Sequence, residues 1–557
     1  MKKMILLLAL GALGLGSGST ARACTNLIVG KRASATGSTM ISYNADSHQL
    51  YGELYYTPAA DHAPGAMRRV VEWDTQRPLG EIPQPAHTYR VVGNMNEWQV
   101  TIAESTWGGD PALQDTLGLI DYGSLIYIAL ERSRTAREAI QVMTDLVAEY
   151  GYYSEGETFS IGDPDEVWVM DLIGKGPGQK GAVWVAVRIP DDCISGHANQ
   201  ARIHTFPLKD KQNCIYAKDL IPFARRTGRF AGKDEDFDFA AAFGEKDYMA
   251  FRGCDGRVWA FFNRFASGME RYFPFVDMQE GAEVLPLYVK PDRPLTHRDV
   301  QAAMADHFEG TPWDMTQDVG GGPFHSPYRW RPLTWKVDSV EYLHERAIAT
   351  QQTGFTFVAE MRGWLPREVG AKTWFGVDDA AIATYVPVYN NILAAPEPFR
   401  VGNGSMTEFS WTSAFWMNNW VAQQAYAYWE SAIQDVQRVK FGHEDRWDAE
   451  QDSIDARAVA LLAQSTAEAT AFLDAYTAAA ATAATTSYRD LGVYLLMKYM
   501  DGNVKREARL SADPTRPLEG EFETTPYGVI TSPLHPPYSD DFYRAIVRQR
   551  GDELRVR

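Results

Sequence analysis

The chain has 557 residues, of which 45% are hydrophobic, with 16 Trp and 27 Tyr, so it can bury a large globular core. Its formal charge is −18, and removing residues 1–23, which carry Lys2, Lys3 and Arg22 and no acid, takes the charge to −21. Surfaces that bind nucleic acid or an anionic membrane need clustered Lys and Arg. This charge balance therefore argues against both kinds of partner.

The first 23 residues have the pattern of an export signal. Two lysines precede an apolar run from Met4 to Leu15, and the small residues Ala21 and Ala23 occupy the third and first positions before a cut. The run is shorter than the roughly 20 apolar residues that a membrane span requires. We predict a signal peptide over residues 1–23 and a mature protein in the periplasm or outside the cell.

Cutting after Ala23 leaves Cys24 as the first mature residue, which then carries both a thiol and a free α-amine. An α-amine titrates near pH 8, so at neutral pH it can accept a proton from a neighbouring group. We interpret Cys24 as a nucleophile that carries its own general base. Two alternatives stay open. One is a lipoprotein cysteine with acylated thiol and amine, for which Ala21 and Arg22 are atypical, and the other is a structural disulfide.

Three further cysteines, Cys193, Cys214 and Cys254, permit at most one disulfide among themselves, and the sequence does not identify the pair. The chain has no Cys-x-x-Cys pair and no His-Glu-x-x-His motif, and its 11 histidines are scattered. These patterns predict no metal site, and the chemistry expected of Cys24 needs no other cofactor.

The predicted structure begins with a hairpin. Strand-like residues Cys24–Gly30 and Ser38–Asn44 flank a turn-rich segment. The first strand presents Cys24 at an open end, and Asp46 follows the second strand closely enough to reach that end. A carboxylate there can orient the terminal amine toward the thiol. The alternative for Asp46 is an ordinary turn residue.

Later elements alternate in type. Thr135 and Glu138 predict a capping box ahead of an amphipathic helix that stops at Gly151. Three strand-like runs and two stretches of helical composition follow: Phe159–Asp163, Val167–Gly174 and Val183–Pro190, then Trp411–Trp429 and Ser453–Ala484. Strands on both sides of a helix predict mixed α and β structure.

Eight segments, in order, carry a family resemblance: CTNLIVGKRAS, GSTMISYNAD, VVGNMNE with AEST, ERSRTAREAI, FSIGDPDEVWVMDLIGKG, RIPDDCISGHANQARI, ATQQTGF and SAFWMNNW. They resemble the secreted dipeptidase family of N-terminal-nucleophile cysteine hydrolases and, more distantly, penicillin V acylases and bile salt hydrolases. The resemblance is dense from Cys24 to about Ile203 and thinner beyond.

The resemblance implies an α+β fold, a four-layer αββα sandwich with the nucleophile at the start of a central strand. It implies one hydrolase domain over residues 24–557 with a helical extension from about residue 410, and hydrolysis of dipeptide amide bonds. Its site residues are Cys24 as nucleophile, Asp46 as anchor of the amine, Asn199 as binder of the oxyanion or the amine, and Asn96 in the substrate pocket. Without the resemblance, Asn199 is an ordinary strand-end or turn asparagine.

One position departs from the family pattern. Where the family commonly has arginine, this chain has Tyr43. Tyrosine donates a hydrogen bond but is neutral at pH 7, so it does not lower a thiol pKa as an arginine does. We expect thiolate formation to depend more on the amine or on another arginine such as Arg202, and the rate and substrate preference to differ.

The same nucleophile also serves an acylase that cleaves an amide-linked acyl group. A dipeptidase needs an acid for the free amine of its substrate, and Glu97 and Glu104 are the candidates. A lipid-anchored binding protein without catalysis is the third reading, and it predicts a blocked Cys24 and membrane attachment. The expected partner is a small peptide, and no sequence feature predicts an oligomeric state.

Overall fold

The computed structural model describes residues 24–556, so the predicted signal peptide, residues 1–23, lies outside the described residues. The strands in the described range are β1 Asn26–Val29, β2 Thr39–Asp46, β3 Tyr56–Thr57, β4 Ala60–Asp61, β5 Met67–Val71, β6 Pro78–Pro83, β7 His87–Thr88, β8 Val91–Val92, β9 Met95–Asn96, β10 Thr101–Gly108, β11 Gly156–Gly162, β12 Val167–Gly174, β13 Ala182–Ile189, β14 Ile194–His197, β15 Cys214–Tyr216, β16 Tyr288–Val289, β17 Thr334–Val337, β18 Val340–Leu343, β19 Thr353–Met361, β20 Ala371–Val377, β21 Val386–Tyr389, β22 Glu507–Arg509 and β23 Glu521–Phe522.

The α-helices in the same range are α1 Tyr122–Leu130, α2 Ala136–Tyr150, α3 Leu220–Arg226, α4 Phe239–Phe243, α5 Gly256–Phe265, α6 Phe273–Val276, α7 His297–Met304, α8 Arg367–Gly370, α9 Ala414–Ala427, α10 Trp429–Leu462, α11 Thr466–Lys498 and α12 Asp540–Arg550. None of these described helices combines the length and the apolar character needed to cross a bilayer.

Two large sheets form the centre of the protein. The first has seven strands in the order β16-β14-β1-β2-β19-β20-β21, and the second has eight in the order β15-β13-β12-β11-β10-β9-β8-β3. β1 pairs antiparallel with β14 on one side and with β2 on the other. Cys24 therefore enters the interior of the first sheet instead of one of its edges.

Successive side chains of a strand point to opposite faces of the sheet. Alternate side chains of β12 accordingly enter two different cores. Val167 and Val169 belong to a core that includes β1 and β2 of the first sheet, whereas Trp168 and Met170 belong to a core with α1 and α2. On the first sheet, α7 contacts β2 and β19, and α11 contacts β21. The α+β class predicted from the sequence is confirmed.

The predicted hairpin at the start of the mature chain is confirmed. Ile28 pairs with Ile41, and Thr25 forms a bridge with Asn44. This register places Cys24 opposite Ala45, one residue before the end of β2. Both strands are buried along their whole length, so packing on both of their faces specifies the register.

The predicted amphipathic helix is α2, with Thr135 as its N-cap and Gly151 as its C-cap. The Thr135 side chain accepts from the Glu138 N–H, as a capping box requires. The reciprocal bond is different, because the Glu138 carboxylate accepts from the N–H of Arg134 instead of that of Thr135. The prediction of a complete capping box was wrong in this half.

The C-terminal helices differ from their predicted bounds. Ser453 was the predicted start of the second helical stretch, but it lies inside α10, which runs unbroken to Leu462. The interruption falls at Ser465, whose side chain caps α11 by accepting from the Glu468 N–H. The middle of α10 is rich in charged residues, and this composition did not predict that the helix is continuous. All four cysteines, each in the described range, are unpaired.

The turn from β20 to β21 contains two adjacent buried acids, Asp378 and Asp379. Asp378 has a left-handed backbone, with φ of 67°, and its carboxylate accepts from the Asn419 amide at 3.1 Å. Burial and the neighbouring Asp379 raise the pKa of Asp378 to about 8. The protonated Asp378 side chain therefore makes its full contribution to the free energy of unfolding at acidic pH. This contribution is lost as the pH rises from about 4 to about 8.

We expect Asp378→Asn to remove that loss, because asparagine keeps the shape, tolerates the left-handed backbone and has no charge to bury. Wild-type Tm should fall relative to that of the variant between pH 4 and pH 8. Asp501→Asn is the matched control, since Asp501 also has a positive φ but is exposed. Parallel Tm curves for wild type and Asp378→Asn would refute the prediction.

Candidate active site

Cys24 lies in a pocket of about 560 Å³, including its open mouth. The pocket forms where the start of β1 and the end of β2 meet β10, β19, α1 and the turn between β5 and β6. Its lining combines the thiol with carboxylates and aromatic rings, among them Asp46, Glu104, Trp73 and Tyr122. A concave site with an apolar wall and a few convergent polar groups is the usual form of a small-molecule site.

The Cys24 thiol contacts two polar side chains. Its Sγ lies 3.4 Å from the Tyr43 hydroxyl and 3.6 Å from Glu104 Oε1. The Tyr43 hydroxyl donates to the same Glu104 oxygen. Because the phenolic hydrogen is used in this way, the thiol is the donor toward Tyr43 or Glu104. Tyr43 thus brings a hydrogen-bonding hydroxyl, but no positive charge, to the thiol.

The surroundings of the thiol disfavour the thiolate. Burial raises the pKa of Cys24 well above its ordinary value, and the negative charges of Glu104 and Asp46 raise it further. Hydrogen bonds from the Tyr43 side chain and the Asp46 backbone oppose this shift and are smaller. Cys24 is therefore a neutral thiol at neutral pH, and it needs a base at the moment of attack.

Buried polar contacts fix β10 beside the start of β1, and with it the carboxylate of Glu104. The contacts join three consecutive residues of β10 to the first sheet: Asn26 Nδ2 to the Glu104 carbonyl at 2.5 Å, Ser105 Oγ to His197 Nδ1 at 2.7 Å, and Asn199 Nδ2 to the Thr106 carbonyl at 2.6 Å. Satisfied buried bonds of this kind define a single packing arrangement. The position of Glu104 next to Cys24 follows from it.

Asp46 lies in the same pocket as Cys24, at the end of β2. Its carboxylate accepts from Arg346 at 2.5 Å and from the Thr353 hydroxyl at 2.6 Å. Burial raises the pKa of Asp46 to about 6, although Arg346 and Thr353 act against that rise. The carboxylate is thus mostly ionised at pH 7, and its orientation is fixed by two donors.

Asn199 is connected to Cys24 through Arg257. The Asn199 side-chain oxygen accepts from Arg257 at 2.8 Å, and the same guanidinium donates to the Cys24 carbonyl at 2.8 Å and to the Thr25 hydroxyl at 2.7 Å. Asn199 has a left-handed backbone, with φ of 56°, which asparagine tolerates better than most residues. Arg257 therefore holds the first two described residues and Asn199 in one arrangement.

Three predicted site residues, Asn199, Asn96 and Glu97, are not among the residues that line the pocket. The Asn96 amide donates to the carbonyls of Leu130 and Ser133 and accepts from two backbone N–H groups, so it stabilises a turn. Glu97 pairs with Arg90 at 3.6 Å. The asparagine that lines the pocket is Asn94, two residues earlier in the same motif.

The arginine suggested as a substitute for the family residue has another partner. Arg202 is fully buried and pairs with Asp255 at 2.9 Å. The arginines that do belong to the site are Arg257 and Arg346, which lie more than 200 residues from Cys24 in the chain and were not predicted from the sequence. No motif around them indicated a role. Among the described residues, no cluster of His, Cys, Asp and Glu is arranged to hold a metal ion.

The sequence profile described as "Peptidase family C69" matches residues 23–60 and 56–441. The chain belongs to peptidase family C69. The C69 match begins one residue before Cys24 and includes both large sheets and the whole pocket. It ends inside α10, so α11 and α12 lie beyond it.

Curated relatives agree with this assignment. A protein of Latilactobacillus sakei named "Probable dipeptidase" is 25% identical over 459 residues, which cover 76% of this chain and 87% of the relative. "Dipeptidase A" of Lactobacillus helveticus is 23% identical, with coverage of 72% and 81%. "Dipeptidase" of Bifidobacterium longum is 24% identical, with coverage of 75% and 79%. This C69 member is accordingly a peptidase.

Proposed function

We propose that this C69 member is an exported cysteine dipeptidase whose nucleophile is Cys24 with a free α-amine. The observation that carries the proposal is the position of the Cys24 thiol, inside the pocket and 3.6 Å from the Glu104 carboxylate. The family match that begins at residue 23 and the dipeptidase names of the relatives support it. Export rests on the signal pattern of residues 1–23, and cell fractionation tests it.

We propose a four-layer αββα arrangement for the fold. One face of β12 packs in the core that includes the first sheet, which supports two sheets packed face to face. The other face packs in the core with α1 and α2, which supports a helical layer outside the second sheet. The contacts of α7 and α11 with the first sheet support a helical layer on its outer side. In the proposed domain organisation, α9 to α12 form the helical extension of a single hydrolase domain.

In the proposed mechanism, the neutral α-amine of Cys24 accepts the thiol proton as sulfur attacks the scissile carbonyl carbon. The carbon–nitrogen bond then breaks, the protonated amine gives its proton to the leaving amine, and a thioester remains. Water attacks the thioester, with the same amine as base, and the thiol is regenerated. The raised pKa of the Cys24 thiol supports a mechanism in which the proton leaves during attack.

Asp46 is proposed to orient the terminal amine. Each carboxylate oxygen accepts more than one hydrogen bond, so the contacts with Arg346 and Thr353 leave capacity for the ammonium formed during the reaction. Asn199 is proposed to stabilise the oxyanion. One of its two amide hydrogens goes to the Thr106 carbonyl, and a donor of this kind contributes about a hundredfold or more to the rate.

Glu104 is proposed to bind the free α-ammonium of the substrate. In a dipeptide, one carbon atom separates this nitrogen from the scissile carbonyl carbon. When sulfur stands about 3–3.5 Å from that carbon, the ammonium lies within hydrogen-bond reach of a carboxylate 3.6 Å from the sulfur. A buried acid in this place favours substrates with a free amine over acylated ones.

We expect Glu104→Gln to lower kcat/KM for alanyl-alanine by about a hundredfold, because the substrate ammonium loses its buried charged partner. The ratio of activity on alanyl-alanine to activity on N-acetyl-alanyl-alanine should fall with it. Glu97→Gln, which removes the same charge from a half-buried pair with Arg90 outside the pocket, should leave that ratio unchanged. A Glu104→Gln enzyme that keeps the wild-type ratio would exclude this role.

An acylase is the second candidate, and one observation favours it. Trp73, Tyr122, Tyr127 and Phe355 give the pocket an aromatic wall, which suits an apolar acyl group. Wild-type cleavage of phenoxyacetyl or fatty-acyl amides at a higher kcat/KM than any dipeptide would favour this candidate over the dipeptidase.

A further inference from the structure

The turn between β5 and β6 is fixed onto the start of α1, and it forms one side of the pocket mouth. The N–H of Trp73 donates to the Asp121 carboxylate at 2.6 Å, and the Ser124 hydroxyl donates to the Val71 carbonyl at 2.7 Å. Asp121 is also the N-cap of α1. The turn therefore has a defined position relative to Cys24, although it is a surface hairpin.

Trp73 packs closely on this helix. A Cβ atom added at Gly123 would lie 2.4 Å from Trp73 Cγ, so the close approach requires glycine at that position. Trp73 also stacks on Tyr127, with ring centroids 4.3 Å apart and planes inclined by 24°. Contacts with α1 thus fix the position of the Trp73 indole. The indole lines the pocket together with Tyr122 and Tyr127.

Asp74 follows Trp73 and lines the same pocket from the exposed end. The Tyr122 hydroxyl donates to Asp74 Oδ1 at 3.0 Å, which fixes the carboxylate at the mouth. Tyr122 lines the pocket together with Tyr43, whose hydroxyl donates to Glu104. The pocket therefore has an inner carboxylate beside the thiol and an outer carboxylate at its mouth.

The two carboxylates are suited to two cations on one substrate. If Glu104 binds the α-ammonium, the rest of the pocket, whose lining includes Trp73, Tyr122 and Asp74, is left for the side chain of the same residue. Lysine and arginine have apolar stems that pack on aromatic rings and charged ends that remain near water. An exposed carboxylate at the far end of such a wall is the matching acceptor.

We propose that Asp74 is a specificity residue that selects dipeptides with lysine or arginine as the N-terminal residue. The proposal rests on the dipeptidase activity proposed above. Asp74 takes no part in bond breaking, so its contribution belongs to the recognition of one side chain. The turn that carries it is exposed, which makes its substitution compatible with folding.

The test compares lysyl-alanine with norleucyl-alanine, whose N-terminal side chain is apolar and of similar length. Wild type should show about tenfold higher kcat/KM for lysyl-alanine, the effect of one charge-assisted hydrogen bond at a partly exposed site. Asp74→Asn should reduce this preference to about one, chiefly through a higher KM for lysyl-alanine. Glu81→Gln, the same charge change on β6 of the same hairpin, should keep the wild-type preference.

Three results would overturn the proposal. Equal wild-type kcat/KM for the two substrates would exclude selection of a basic side chain and leave the dipeptidase function intact. An equal loss on both substrates in Asp74→Asn would assign Asp74 to the α-ammonium site instead. Failure of the wild type to cleave any dipeptide would remove the proposed function itself, and this inference with it.

Discussion

Replacement of Cys24 by alanine is expected to lower kcat for dipeptide hydrolysis on the order of 10⁴-fold or more, because no thioester forms without the sulfur. Cys24→Ser keeps a hydroxyl beside Tyr43 and Glu104 and should retain only a trace of activity. The measurement is release of free amino acids from alanyl-alanine at saturating substrate, with circular dichroism as the check on folding.

Cys193→Ala is the matched control for this prediction. Cys193 is also buried and unpaired, but its sulfur faces Asp192 outside the pocket, so the variant should keep wild-type kcat. Folded Cys24→Ala protein with more than a tenth of the wild-type kcat would show that another group is the nucleophile.

The second large effect concerns the amine. A chain with one uncleavable residue ahead of Cys24 keeps the thiol, Asp46 and Glu104 but converts the α-amine into an amide, which does not accept a proton. A positioned general base contributes about 10² to 10⁴-fold to the rate. We expect kcat to fall by this factor, because the raised pKa of the Cys24 thiol leaves little thiolate to act without a base.

The control is the same residue added after Arg557. That variant should match the wild type in kcat and in labelling by a thiol-reactive probe. Wild-type activity in the N-terminally extended protein, with mass spectrometry showing the extension in place, would assign the base to a side chain. Glu104 is the carboxylate in contact with the sulfur.

Local sequence was enough for the features of the site that lie on one hairpin. Cys24 and Asp46 are 22 residues apart, and two strand-like runs joined by one turn-rich segment bring them to the same end of a hairpin. α2 was predictable in the same way, from its cap and apolar period. The start of α11 was not, because α10 is polar along much of its exposed face and has no glycine or proline to mark its end.

The rest of the site depends on contacts between distant segments. Asn94 and Asn96 belong to one motif, and only the path of β9 decides which of them faces the pocket. Arg257 and Arg346 reach the site from α5 and from the segment before β19, with no local signature. Glu97 and Glu104 were equal candidates in the sequence, and the bonds that hold β10 to the first sheet distinguish them.

The most direct test of the central claim is the N-terminus of the active enzyme. Protein exported by its native or a similar host should have the intact mass of a chain that starts at Cys24, and N-terminal sequencing should return that cysteine unblocked. A thiol-reactive probe should label Cys24 in proportion to the loss of dipeptide hydrolysis. An acylated Cys24, or an active protein that starts at another residue, would contradict the account, because either one removes the α-amine as base.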